Sequence, residues 1–164
     1  AGQGQPDIVA TRPDSRRGVV ASVGCGGSSE KVAALARHCR RLLAIDKSPE
    51  GLRSIQRGDV PANVSLCAGD AHALPFIDTS VDHIVAFGLF AYVIDTIRVL
   101  HEFRRVCRLG GWIMVTNSVS HSPQKFRDAA AEASLNIVEE HEGYCPAASG
   151  NVKRRQLVIY ERQN

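Results

Sequence analysis

The sequence predicts an α/β fold with a mostly parallel sheet covered by helices on both faces, and three observations carry that prediction. From Gly18 onward, short β-branched runs alternate with stretches of helical periodicity. Glycine or acidic punctuation follows three of the apolar runs, at Gly24, Asp46 and Gly69-Asp70. The last two apolar runs are separated by a segment rich in Gly, Pro, Ser and Asn with no helix in it, so they pair antiparallel as a long hairpin. Strands joined by helical crossovers run parallel, and right-handed connections put helices on both faces of the sheet.

In chain order, residues 1–17 are polar and rich in Gly, Pro and Arg, and read as an arm or the stub of a truncated lid. One domain fills residues 18–164. Val19 to Val23, closed by Gly24, is a β-branched run of the kind buried on both faces. Ser28-Ser29 offers an N-cap, and Val32, Leu35, Ala36 and Cys39 fall at helical spacing behind it. Leu42 to Ile45 is the second strand, ending at Asp46, and Ser48-Pro49-Glu50 starts the next helix with Pro at its first position. Val64 to Cys67 is the third strand and Val81 to Phe87 the fourth. A helix from about Ile94 carries Ile94, Ile97, Leu100, Phe103 and Cys107 as its apolar stripe and ends at Gly110-Gly111. Trp112 to Thr116 is the fifth strand, Ser122-Pro123 opens a helix to about Ser134, and Ile137-Val138 and Gln156 to Tyr160 are the closing strands.

Composition removes several function classes. Twenty Lys and Arg against 17 Asp and Glu leave a net charge of +3, without the concentrated basic excess of a nucleic-acid footprint. The apolar stretches, such as Ile84 to Phe87 and Gly88 to Val93, are interrupted well short of the roughly 20 residues that span a bilayer. The start of the sequence carries no secretory signal pattern. Five cysteines, Cys25, Cys39, Cys67, Cys107 and Cys145, form no C-x-x-C pair. That speaks against a disulfide framework and a zinc site, and fits a reducing, cytoplasmic setting.

In an open α/β sheet, ligands bind beyond the carboxyl ends of the strands where strand order reverses. Three features converge there. Val23-Gly24-Cys25-Gly26-Gly27-Ser28 follows the first strand, and its glycines let backbone approach a ligand closely. Asp46 ends the second strand 22 residues after Gly24, where a carboxylate can accept both hydroxyls of a ribose. Asp70 follows the third strand, where it can accept from an exocyclic adenine amine. Taken singly, the same residues serve as a tight strand-to-helix corner, a helix-capping cluster and a turn cap; their order along the strands favours a nucleotide-like ligand. The G-x-G-x-x-G fingerprint fails at Ser29, which disfavours NAD, and no phosphate-cradling P-loop motif occurs.

The segments Val23 to Gly26, Ala44 to Glu50, Gly69 to Phe76, Ser80 to Val85 and Arg105 to Gly111 resemble, in order, the motifs of class I S-adenosylmethionine-dependent methyltransferases, most closely the ubiquinone/menaquinone type (methyltransferase type 11). The G-D-A-x-x-L-P-F run at Gly69 to Phe76 is the most specific of them. The resemblance covers residues 18–118, and 119–164 only by element order. It implies a Rossmann-like, doubly wound, three-layer α/β/α fold with seven strands, the last antiparallel. It implies S-adenosyl-L-methionine as cofactor and S-adenosyl-L-homocysteine as product. Gly24, Cys25 and Gly26 would line the methionine and ribose, Asp46 would hold the ribose hydroxyls, and Lys47 and Ser48 would flank the adenine. Asp70 with the Ala71 backbone would read the adenine edge, and Phe87 and Gly88 would border the sulfonium. Two positions depart from the family pattern: Ser22 stands where an acidic residue is usual, and Ser28 where a third glycine is usual.

Methyl transfer from a sulfonium is an in-line displacement with a good leaving group, so placement of the acceptor supplies much of the acceleration. A base is required only for an acceptor that must lose its proton early. Tyr92 and His121 are the candidates near the expected mouth. A small-molecule acceptor is favoured over a macromolecule, and the substrate site is either open or covered by a missing N-terminal segment, a partner chain or a large substrate. The alternative is a methyltransferase-like domain that has lost catalysis and binds or scaffolds, motivated by Ser22 and Ser28.

Overall fold

The computed structural model describes residues 17–118, 123–146 and 152–162. Each face of its central strands is apolar and recruits its own helices. In β1 (Val19–Val23), Val20 packs on one side while Ala21 and Val23 pack on the other, the period-two alternation of a strand. β2 (Arg41–Asp46) sets Leu42 and Ala44 against Ile45, and β4 (His83–Phe87) sets Val85 against Ile84 and Ala86. Helices α1 (Ser29–Ala36) and α2 (Pro49–Gln56) cover the first face with Val32, Leu35, Ala36 and Ile55. Helices α3 (Thr96–Val106) and α4 (Pro123–Glu132) cover the second with Val99, Leu100, Phe103, Phe126 and Ala130. Burying one such large apolar side chain stabilises by about 1.5–3 kcal/mol, so both layers hold the sheet by the same means.

With β3 (Val64–Ala68), β5 (Trp112–Ser118), β6 (Leu135–Pro146) and β7 (Val152–Arg162), the strands form one seven-stranded sheet in the order β3-β2-β1-β4-β5-β7-β6. Strands β1 to β5 pair parallel with one another, and β7 runs antiparallel to both β5 and β6. This is the predicted doubly wound, three-layer architecture with an antiparallel last strand. The chain winds outward from β1 to β3, then returns to place β4 on the other side of β1. The crevice beyond the carboxyl ends of β1 and β4 is therefore the switch point. No helix among the described residues is long and apolar enough to cross a membrane.

Helix starts follow the capping residues. Ser28 Oγ accepts from the Lys31 N–H, and Ser48 Oγ from the Gly51 N–H with Pro49 in the first turn. Several boundaries differ from the sequence expectation. α3 begins at Thr96, because Asp95 accepts from the Arg98 N–H as its N-cap; Ile94 therefore lies outside the helix and is 98% exposed, not part of the apolar stripe. The same helix ends at Val106, short of Gly110-Gly111, because the Val81 N–H donates to the Val106 carbonyl and the Arg108 N–H to the Val81 carbonyl. Val81 thus pairs with Cys107, and β4 starts at His83. The closing hairpin is longer than Ile137-Val138 and Gln156 to Tyr160: it pairs Leu135 with Arg162 through to Pro146 with Val152, with a bulge between Ile137 and Glu139. Residues 1–16 of the arm and His121 lie outside the described residues.

Candidate functional site

Beyond β1 the chain turns sharply into α1, and two glycines allow it. Gly24 and Gly26 have φ of +72° and +66°, a region that costs an L side chain about 1–2 kcal/mol. A Cβ on Gly24 would also lie 2.8 Å from Leu89 Cδ1. Above Gly26 the space within 4 Å of such a Cβ is open, so backbone at this corner faces room for a ligand. The Gly24 and Cys25 N–H groups donate to the Ile45 carbonyl at 2.8 and 3.1 Å, fastening the turn to the end of β2.

Asp46, the last residue of β2, ties two loops together. Its Oδ2 accepts from the Gly26 N–H at 2.7 Å and its Oδ1 from the Ser48 N–H at 2.9 Å. A carboxylate offers about four acceptor sites, so each oxygen keeps one for a further donor, an arrangement that suits a vicinal diol. Between these loops, burial and then the Asp46 carboxylate push the Cys25 thiol up to about 12. At neutral pH it is a neutral thiol and not a nucleophile.

Asp70 stands beyond β3, half exposed. Its Oδ1 accepts from the His72 N–H at 2.9 Å and from His72 Nδ1 at 2.7 Å, and Lys47 Nζ lies 3.2 Å from its Oδ2. The His72 backbone N–H, then the His72 ring, then Lys47 hold this carboxyl well below the usual carboxylate range, so it is charged at neutral pH. Oδ1 has both its acceptor sites in use; Oδ2 retains one. Ala71 beside it is buried. Lys47 thus joins the second and third strand ends electrostatically, while Ser48 serves the α2 cap.

The end of β4 is built differently. Gly88, at φ +77°, donates its N–H to the Thr116 carbonyl and Oγ1 at 3.2 and 3.0 Å. Phe87 is partly buried and packs, like Cys25, against the α1 and α2 layer. A short 3-10 turn, Leu89–Ala91, buries Phe90 edge-on against Phe103 and Phe126, and leaves Tyr92 88% exposed. Ser22 is buried between Ala44 and Val85 of the flanking strands, and its hydroxyl carries no charge.

Of the residues predicted from sequence, Gly24, Cys25, Gly26, Asp46, Lys47, Ser48, Asp70 and Ala71 stand around the ends of β1 to β3, and contacts link Gly26 to Asp46 and Lys47 to Asp70. Phe87 and Gly88 stand at the neighbouring end of β4. The sequence reading missed three contributors. His72 received no role, although an Asp followed two positions later by a residue whose N–H it accepts is a local turn signature. Leu89 over Gly24 and Thr116 under Gly88 come from register and packing, which no local motif encodes. The donors and acceptors fit an adenosine-like ligand: an open glycine corner, a carboxylate with two acceptor sites free, and a second with one free on the side of β3.

Comparison with known proteins identifies the family and the fold. Residues 21–115 match the family model described as Methyltransferase domain, of type 11. A comparison with curated proteins finds no match. Among solved structures, an S-adenosylmethionine-dependent methyltransferase from Methanosarcina mazei superposes with a TM-score of 0.79 at 13% identity, covering 99% of each chain. Geranyl diphosphate C-methyltransferase from Streptomyces coelicolor, solved with Mg2+, geranyl diphosphate and S-adenosylhomocysteine, gives 0.76 at 15% identity, over 96% of this chain and 77% of that one. The complex of the Haloferax volcanii Trm112 methyltransferase activator with a protein assigned as a methyltransferase gives 0.77 at 21% identity, over 96% and 88%. At these identities the solved structures speak to the fold; the family model, which spans more than half of the chain across β1 to β5, places the chain in the class I S-adenosylmethionine-dependent methyltransferases of the type 11 group.

Proposed function

We propose that this chain binds S-adenosyl-L-methionine at the ends of β1, β2 and β3 and transfers its methyl group to a small-molecule acceptor that enters beyond β4. The observation that carries this reading is Asp46, whose carboxylate joins the glycine corner to the start of α2 and keeps an acceptor site on each oxygen. Gly24, Cys25 and Gly26 line the methionine and ribose. Asp46 takes the ribose hydroxyls, Lys47 and Ser48 flank the adenine, and Asp70 with the Ala71 backbone takes its edge. Phe87 and Gly88 border the reacting end.

When bound, the cofactor supplies an electrophilic methyl carbon on a sulfonium that leaves as a neutral thioether, S-adenosyl-L-homocysteine. The chain's part is placement, which for a well-aligned pair is worth up to about 7–11 kcal/mol of barrier. The glycine corner and Asp46 fix one partner, and the Gly88 turn, held on Thr116, shapes the approach of the other. Tyr92 is too exposed for its surroundings to hold the phenol against a reacting atom, so contact with the acceptor suits it better than proton removal; His121 is the second candidate base. The modest net charge favours a small acceptor over nucleic acid. The described cysteines, all free thiols, suit a reducing compartment such as the cytoplasm.

Calorimetric titration with S-adenosylmethionine, S-adenosylhomocysteine and NAD tests the reading. Micromolar binding of both sulfur compounds and none of NAD is expected. At 100 times its dissociation constant the ligand should stabilise the fold by about 2.7 kcal/mol in a melting curve. Binding of neither by folded protein would sink the enzyme reading and favour a scaffold domain, for which the buried, uncharged Ser22 is the motivating observation.

A further inference from the structure

One side chain touches both sides of the cleft. His72 Nδ1 lies 2.7 Å from Asp70 Oδ1, beyond β3, and the Asp95 backbone N–H donates to His72 Nε2 at 3.4 Å, at the far end of the loop that follows β4. The ionised Asp70 only accepts, so Nδ1 carries the proton and Nε2 is left as the acceptor. The charged groups that face this imidazole are Asp70, Lys47 through the other Asp70 oxygen, Asp95, and Arg98, whose Nε donates to the His72 carbonyl at 3.0 Å. The opposite end of the same loop is attached as well, since Leu89 packs on Gly24. The loop carrying Tyr92 is therefore tied at both ends to residues assigned to the cofactor.

We propose that His72 is a positioning residue that couples occupation of the Asp70 site to the order of the acceptor-side loop 88–95, so that cofactor binding prepares the loop for the acceptor. This rests on the reading of Asp70 as an adenine contact. The Asp95 bond at 3.4 Å is longer than the usual 2.9–3.0 Å, so it has room to tighten. A donor arriving on Asp70 Oδ2 fixes that carboxylate, the carboxylate fixes the ring through Oδ1, and the ring shortens its hold on Asp95. Hydrogen bonds in such a chain strengthen one another. His72 itself meets neither the reacting methyl nor the acceptor.

Hydrogen exchange of the segment 88–95, with and without saturating S-adenosylhomocysteine, reads the coupling directly. In the parent protein the ligand should slow exchange there about fivefold, the worth of one hydrogen bond. His72→Asn keeps a donor toward Asp70 and loses the acceptor for Asp95: it should bind S-adenosylhomocysteine within about threefold of the parent, yet show no ligand-dependent slowing. His72→Gln keeps the Asp95 side and gives up the Asp70 side, and should lose the slowing too. A purely structural role predicts instead that both variants loosen the loop equally with and without ligand. Unchanged slowing in His72→Asn overturns the proposal. If the parent protein fails to bind S-adenosylhomocysteine, or Asp70→Ala binds it as tightly, the adenine reading falls first and the coupling with it.

Discussion

At the ends of β1 to β3 the polar atoms are engaged by the protein itself, while beyond β4 the chain exposes large side chains. Asp46 holds two backbone N–H groups, Asp70 holds three donors, and Ser48 caps α2. Across the cleft, Gly88 rests on Thr116 by a single N–H, and Tyr92 and Ile94 are 88% and 98% exposed. The two sides face different demands. On the proposed reading the cofactor, shared by the family, is met by groups fixed in advance, which lowers the ordering cost of binding. On the same reading the acceptor is met by a loop, where substitution disturbs little else.

The sharpest way to break this contrast is Asp46→Ala. It unties Gly26 and Ser48 and, on the proposed reading, removes two charge-assisted acceptors from the ligand, each worth about 1.5–3 kcal/mol. S-adenosylhomocysteine affinity should fall by at least about 100-fold by calorimetry, from two lost bonds at the low end of that range. Affinity equal to the parent's would dissolve the distinction between the two sides. Gly24→Ala is the next largest. Its left-handed φ costs about 1–2 kcal/mol, and the new Cβ would stand 2.8 Å from Leu89 Cδ1. For a chain of this size the melting temperature should drop by about 2–8 °C. Because Leu89 belongs to the loop after β4, this variant also tests whether strain introduced on the cofactor side reaches the acceptor side.

The fold and the positions of the strand ends were legible because they rest on local periodicity and on residues with special backbone demands. β-branched runs buried on both faces, Ser28 and Ser48 as N-caps, and glycines at φ +72° and +66° each follow from a few neighbouring residues. Ile94 misled because hydrophobicity alone extends the stripe of α3, whereas the Asp95 cap decides where that helix starts. The length of the closing hairpin was hidden in a polar segment whose pairing depends on the partner strand and not on its own composition. His72 was silent for a related reason. Its role comes from Asp95, a residue brought to it by the crossover from β4 to α3, and spacing along the chain carries no trace of that meeting.

The smallest expected effect sharpens the comparison most. Tyr92→Ala removes a side chain that is 88% exposed, and a surface change of this kind stays within about 0.5 kcal/mol of the parent's stability. Cofactor affinity should likewise stay within about twofold, since the neighbouring Tyr92 N–H to Leu89 carbonyl bond belongs to the backbone and survives the substitution. What should change is the acceptor term. Once an acceptor is found, KM for it should rise several-fold, with the cofactor's KM unmoved, because contact at the loop is lost while the site beyond β1 to β3 stays intact. A fall in cofactor affinity instead would mean that Tyr92 closes over the cofactor. The acceptor side would then be a lid, and the two sides of the cleft one site.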